Sequence, residues 1–201
     1  RPRSKTKLRL NMKRRTFLCC IAGGLLASPV FAADPTLGLG AAINKAGRQR
    51  MLTQRMAKAY AMQSAGVMPD RAGMLLDASR RLFEAQLAEL KSFAPTEAIQ
   101  SALQTLDTAW RLYREVLSRP RSPEGARLVL TESDNTLRAA HVLTGLYEKQ
   151  SAGSAGRLVN LSGRQRMLSQ RMAKCFLFDQ SGIGSGGLKA EMEMARGEFV
   201  A

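Results

Sequence analysis

The sequence predicts an all-α protein, an antiparallel up-down helical bundle, and three observations carry that prediction. Aromatic residues make up only 5% of a chain that is 45% hydrophobic, and its supply of Met, Ala, Leu, Gln and Arg favours helices over sheets. Apolar residues recur at helical spacing between breaks that contain Pro and Gly. One 18-residue segment also occurs twice. Ile43 to Tyr60 returns 116 positions later as Val159 to Phe176, with 12 of the 18 positions identical and Gly-Arg-Gln-Arg-Met-Leu unbroken in both. A repeat at fixed offset constrains architecture before any local assignment is made.

The chain divides into three parts. Residues 1–11 are read as translated upstream sequence, with Met12 as the start. Residues 12–32 have the form of an export signal: basic Met12-Lys13-Arg14-Arg15, an apolar run from Phe17 to Ala27, Ser28-Pro29, then Val30-Phe31-Ala32 before the expected cut. Arg14-Arg15-Thr16-Phe17-Leu18 resembles a twin-arginine signal, and the general secretory route fits as well. The protein is therefore expected in the periplasm. A membrane anchor is the competing reading, but the apolar run falls short of the ~20 residues that span a bilayer. Cys19 and Cys20 lie inside the signal, so Cys175 stands alone in residues 33–201 and makes no disulfide framework there.

Residues 33–201 form the predicted bundle. The first repeat opens a helix running to about Ala65, where Gly66 stops it and Asp70 is expected to cap the next. That second helix carries Leu75, Leu76, Leu82, Phe83, Leu87 and Leu90 to about Phe93. Thr96 caps a third, holding Ile99, Leu103, Leu106, Trp110, Tyr113 and Leu117. A fourth begins near Pro123-Glu124 with Leu128, Leu130, Leu137, Val142, Leu143 and Leu146. It is either disturbed at 151–156 or runs through into the second repeat, ending at Gly182 to Gly187. Beyond the motif the correspondence continues without a gap. Asp77-Ala78-Ser79-Arg80 matches Glu193-Met194-Ala195-Arg196 and Phe83 matches Phe199, so the second copy is read as truncated at Ala201.

Composition narrows the function. The net charge of +15 suggests nucleic acid at first sight. Eight of the positive charges precede Thr16, however, and without them 23 basic and 16 acidic residues leave +7. That balance suits a small anion better than a polyanion. No metal-spaced His/Cys set, nucleophile-base constellation or phosphate loop is present, so neither an enzyme nor a cofactor is expected. His141 reads as a surface helix residue, Trp110 and Tyr113 as core, and Cys175 as a small apolar filler.

A helical projection of the repeat puts Ile43, Ala46, Gly47, Arg50, Gln54, Ala57 and Ala61 on one stripe. Val159, Ser162, Gly163, Arg166, Gln170 and Ala173 form the other. Leu52, Met56 and Ala59, or Leu168, Met172 and Cys175, cover the opposite side, while Arg48, Arg55, Arg164 and Arg171 project between. Small residues let helices approach closely, and an arginine among them demands an anion, a carboxylate or dense hydrogen bonding. Helix four should run antiparallel to helix one, so the repeats are expected to meet at one end. Arg50 and Arg166 would then share one oxyanion, with Gly47, Gly163, Gln54 and Gln170 around it. The alternative is a plain packing surface whose arginines pair with neighbouring carboxylates.

Asn44 to Lys58 and Asn160 to Lys174 each read N-x-x-G-R-Q-R-M-L-[ST]-Q-R-M-A-K. This motif resembles the PilJ-type N-terminal sensor domain of type IV pilus methyl-accepting chemotaxis transducers. Ile43-Asn44-Lys45-Ala46-Gly47 followed by Arg50-Met51 is also similar to the P-box of periplasmic nitrate/nitrite sensor kinases, with Arg48 and Gln49 where that box has smaller or apolar residues. The resemblance implies extracytoplasmic signal input, and an anion such as nitrate or nitrite held by Arg50 and Gly47 and, through the repeat, by Arg166 and Gly163. It implies a signalling protein or a homodimer as partner, and type IV pilus chemosensing as the setting. A ligand-free protein-interaction module of the same system is the second reading.

Overall fold

The computed structural model describes residues 37–151, 154–184 and 186–201. The readings of residues 1–11 and of the export signal lie outside them. Every regular element described is a helix: α1 (Leu39–Ser64), α2 (Pro69–Ser92), α3 (Glu97–Ser118), α4 (Pro123–Gln150), α5 (Ser154–Gln180) and α6 (Leu188–Val200). None of them is long and apolar enough to cross a membrane.

Local chemistry sets the boundaries. Gly66 takes a positive φ after α1, a conformation nearly free of cost only for glycine. The Thr96 hydroxyl accepts from the Ile99 N–H, and Ser122 does the same for Gly125 with Pro123 in the first turn. The expected Asp70 cap is corrected. Met68, in the left-handed region at φ 47°, precedes Pro69, and Asp70 lies inside the first turn of α2. There its charge complements the positive helix end without bonding it.

Burial follows the 3.6-residue period closely. Ile99, Leu103, Leu106, Trp110, Tyr113 and Leu117 are all buried on α3. Leu82 and Val142, expected in the core, are exposed. Each stands one position, about 100°, away from a buried neighbour, Phe83 or Leu143. On α1 both broad sides are buried, because α1 packs against α2, α4 and α5 at once. It is the central helix.

Cross-helix contacts fix direction. Gln49 reaches the Phe83 carbonyl and Lys45 reaches Glu89, so α2 returns along α1. Lys91 meets Asp107 and Glu84 meets Arg114, so α3 returns along α2. The Thr136 hydroxyl donates to the Ala109 carbonyl, and Arg50 faces His141 while Gln54 faces Ser133, so α4 runs against α1. The chain then reverses again. Helix four does not run on into the second repeat: it stops at Gln150, and α5 starts afresh at Ser154. Gly156 lets the new helix start close to Ser151 and Ile43, atoms that a Cβ would meet at 2.6 and 3.2 Å.

This reversal decides how the repeats meet. Helices alternate in direction, so the first and fifth run parallel. Ile43 lies by Gly156, Gly47 by Gly163, Met51 packs with Met167 and Leu168, and Ser64 shares a cleft with Ser181 and Ile183. The α1–α2 hairpin thus recurs as α5–α6, with matching residues of the two motifs facing one another.

Candidate functional site

The site is built where the two parallel repeats come closest. A Cβ placed on Gly163 would lie 3.7 Å from the Gly47 Cα, 3.3 Å from Arg50 Nη2 and 3.9 Å from Arg166 Nη2. A Cβ on Gly47 would likewise lie 3.3 Å from Arg50 Nη2. The two glycines therefore leave open the room into which the guanidinium groups converge.

Helical side chains lean toward the N-terminus of their own helix. Parallel repeats consequently exchange contacts toward their N-termini, each arginine reaching the residue six positions back in the facing motif. Arg50 Nη2 donates to Asn160, to Oδ1 at 2.5 Å and to the carbonyl at 3.1 Å, while Arg166 Nη2 donates to Asn44 Oδ1 at 3.2 Å. Asn44 and Asn160 are the matching first residues of the motif, so the exchange is reciprocal. Asn160 passes its own amide hydrogen to Glu148.

The two arginines differ sharply in burial. Arg50 is 1% exposed and Arg166 is on the surface. Arg50 makes no ion pair among the described residues, and its Nε–H is buried without an acceptor. Burial, then the neighbouring charges of Arg164 and Arg166, lower its pKa to about 10 against the opposing pull of Glu148. Arg164 is offset by Glu198 at 2.6 Å. His141 on α4 completes the cluster with Nδ1 3.3 Å from Arg50 Nη1. A guanidinium only donates, so this contact requires a neutral His141 with Nδ1 unprotonated. Burial and then the charges of Arg50 and Arg164 depress the His141 pKa below 6.5.

The glutamines stand apart from this cluster. Gln54 turns to α4, where Nε2 donates to the Ser133 carbonyl at 3.3 Å, and neither Gln54 nor Gln170 bonds an arginine among the described residues. Arg50, Arg166, Gly47 and Gly163 come together; Gln54 and Gln170 do not join them. Among the arginines expected to project freely, Arg171 is held by Glu191 at 2.8 Å. Cys175, expected as an apolar filler, is buried and sits 3.2 Å from the same carboxylate.

A family model described as type IV pili methyl-accepting chemotaxis transducer N-term, PilJ, matches residues 35–136, just over half of the chain. The chain belongs to the PilJ family. No curated protein and no solved structure gave a match. The PilJ match covers α1, α2, α3 and half of α4. It contains the first motif with Gly47 and Arg50, whereas Gly163 and Arg166 lie beyond it.

Asn44, Asn160 and His141 were missed by sequence reasoning as members of the site. The two asparagines had a signal, since both motifs begin with them. His141 had none: it is 91 residues from Arg50 in the chain, and only the α1–α4 packing joins them.

Proposed function

We propose that this PilJ domain is an extracytoplasmic sensory module of a type IV pilus chemosensory pathway, and that its input is a small planar oxyanion, nitrate or nitrite. The anion would sit where Arg50 and Arg166 converge on the Gly47–Gly163 contact. One observation carries the reading: a buried guanidinium with no carboxylate partner among the described residues and an unpaired Nε–H, whose Nη2 converges with that of a second arginine on Gly163. Guanidinium groups present paired donors that match a planar oxyanion, and an anion between two cations removes their mutual repulsion. Because Arg50 lies on α1 and Arg166 on α5, an anion bound by both would pull the two parallel helices together, which is a mechanical input. His141 adds a proton linkage. An anion beside it favours imidazolium, so anion affinity is expected to rise as pH falls through and below 6.5.

Calorimetric titration with nitrate, nitrite and chloride tests this on the wild type, Arg50→Lys and Arg166→Ala. Oxyanion heat should appear in the wild type and fall at least tenfold in affinity in each variant. Equal heats from all three proteins would sink the arginine assignment. The ligand-free reading is favoured by a specific contact, since Asn160 and His141 already occupy both terminal nitrogens of Arg50. On that reading the motif only packs helices, no anion produces heat, and the domain works through a protein partner.

A further inference from the structure

We propose that the cleft between α4, α5 and the start of α6 binds a small zwitterion whose ammonium and carboxylate stand apart, a dipeptide or an ω-amino acid. The cleft uses none of the residues of the Arg50 site, so failure of one site leaves the other standing.

Lys174 anchors the cleft. Its fully buried ammonium reaches Asp134 Oδ1 at 2.8 Å and Glu191 Oε1 at 3.5 Å. Arg171 Nε donates to Glu191 Oε1 at 2.8 Å, the Cys175 thiol meets the same oxygen at 3.2 Å, and Gln54 Nε2 reaches Asp134 Oδ1 at 3.5 Å. All these contacts fall on one oxygen of each carboxylate. Asp134 Oδ2 and Glu191 Oε2 have no protein donor among the described residues, and neither is a buried atom. Both carboxylates line a cleft of about 700 Å³. Two cations hold the acids in place from one side, and the free oxygens are left to accept from an ammonium on the other.

The opposite charge is supplied at the other end. Arg127 and Thr131 line the cleft on the same face of α4 as Asp134, two turns and one turn before it. Arg127 has no carboxylate partner among the described residues. The start of α6 lies toward that end, since Leu188 approaches Leu130 around Gly184 while Glu191 meets Lys174 beside Asp134. Gly187 brings no side-chain cap to α6, so its first N–H groups add positive character there.

Spacing selects the ligand. At 1.5 Å per residue Arg127 stands ~10 Å from Asp134 along α4, and Leu188 ~5 Å from Glu191 along α6. An α-amino acid carries both charges on one carbon and spans neither interval; a dipeptide or an ω-amino acid reaches both ends. The Thr131 hydroxyl lies between the ends, and Leu130 and Leu188 offer apolar contact to the middle of the ligand. Ser169 is the counterpart of Thr53, whose carbonyl accepts from Tyr113 on α3. Arg171 stands about 200° round α5 from Ser169, so the cleft lies on the side that α4 closes, away from the side corresponding to the one α3 covers.

Calorimetric titration of the full 201-residue protein with L-alanyl-L-alanine and with γ-aminobutyrate tests this. Two controls accompany them: N-acetyl-L-alanyl-L-alanine, which lacks the ammonium, and L-alanine, whose charges are adjacent. At least one of the two zwitterions should bind, and which one does identifies the source; both controls should bind at least tenfold more weakly. Arg127→Gln should lower the affinity at least tenfold, while Arg138→Gln on the same helix and Arg50→Lys leave it unchanged. Asp134→Asn should weaken binding as well, but Asp134 also holds Lys174, so Arg127→Gln, at an exposed side chain, carries the decision once its melting temperature matches the wild type. No heat from either zwitterion at about 10 mM overturns the proposal. Heat that survives Arg127→Gln overturns it too, as does equal binding of the acetylated dipeptide, which leaves no role for the free carboxylate oxygens.

Discussion

The two copies of the motif lie side by side, share 12 of 18 residues, and live in different environments. On α1 the arginine Arg50 is buried and the lysine Lys58 is half-buried, without a carboxylate partner among the described residues. On α5 the order is inverted. Arg166 is exposed, while Lys174 is completely buried between Asp134 at 2.8 Å and Glu191 at 3.5 Å. Glu191 explains part of the inversion, because its counterpart in the first copy is Leu75. Burial in turn lowers the pKa of Lys58, with Arg55 adding to the effect. A motif of this kind places charges on a helix; the helices packed against it decide which charge is enclosed and what must neutralise it.

The largest expected contrast lies at the lysines. Lys174→Ala strips the cation from two partly buried carboxylates, and removing one partner of a buried pair costs ~3–5 kcal/mol. Lys58→Ala should stay within about 0.5 kcal/mol, as at an ordinary unpaired position. Urea unfolding of the two variants measures both, and equal losses would dissolve the distinction between the copies.

The aromatic pair should show a similar contrast. Phe83→Ala empties a core site stacked on Trp110, at ~3–5 kcal/mol. Phe199→Ala, at the matching but half-open position, should cost about 1 kcal/mol or less.

A third comparison uses pH. Burial pushes the Glu191 carboxyl up, but Lys174 and Arg171 outweigh it and hold its pKa below 4.5. A depressed carboxylate stabilises the fold above its unfolded pKa, and that stabilisation is lost as pH falls through the folded value. The wild type should therefore lose stability below pH 4.5 more steeply than Glu191→Gln, as thermal melts across that window will register. The opposite slope would place the carboxylate outside the Lys174 network.

A small effect on stability is expected at Gly163. Its replacement by alanine gains up to ~1 kcal/mol of helix propensity and sets a methyl group 3.3 Å from Arg50 Nη2. The melting temperature should shift by only a few degrees. Oxyanion affinity should drop nonetheless, since the space between the guanidinium groups is filled, and an unchanged affinity would move the anion elsewhere.

Much of this architecture was legible in the chain. Thr96 marked the start of α3, and Trp110 and Tyr113 fell on its buried stripe by period alone. The stripe of Ile43, Ala46, Gly47, Arg50, Gln54, Ala57 and Ala61 is buried throughout. Gly47, Arg50, Gly163 and Arg166 were picked out by the same projection, and they meet. Gln54 shared that stripe yet turns to Ser133, because a stripe wide enough to face two neighbouring helices cannot say which one a side chain chooses. Leu82 and Val142 failed for a related reason: hydrophobicity without a neighbour in reach does not bury a residue.

By itself, then, the sequence determined the first three helices, the Thr96 cap, and the fact that one helical segment is used twice. Those properties depend on backbone propensity and on periodicity, which are local. Only the tertiary structure decided that the chain reverses after Gln150, and so that the two repeats run parallel rather than antiparallel. That one reversal puts Gly47 against Gly163, crosses Arg50 to Asn160 and Arg166 to Asn44, and buries one arginine while leaving its twin exposed. Which of two identical side chains is enclosed depends on groups far apart in the chain, such as His141 and Asp134 on α4, and no local pattern carries that information.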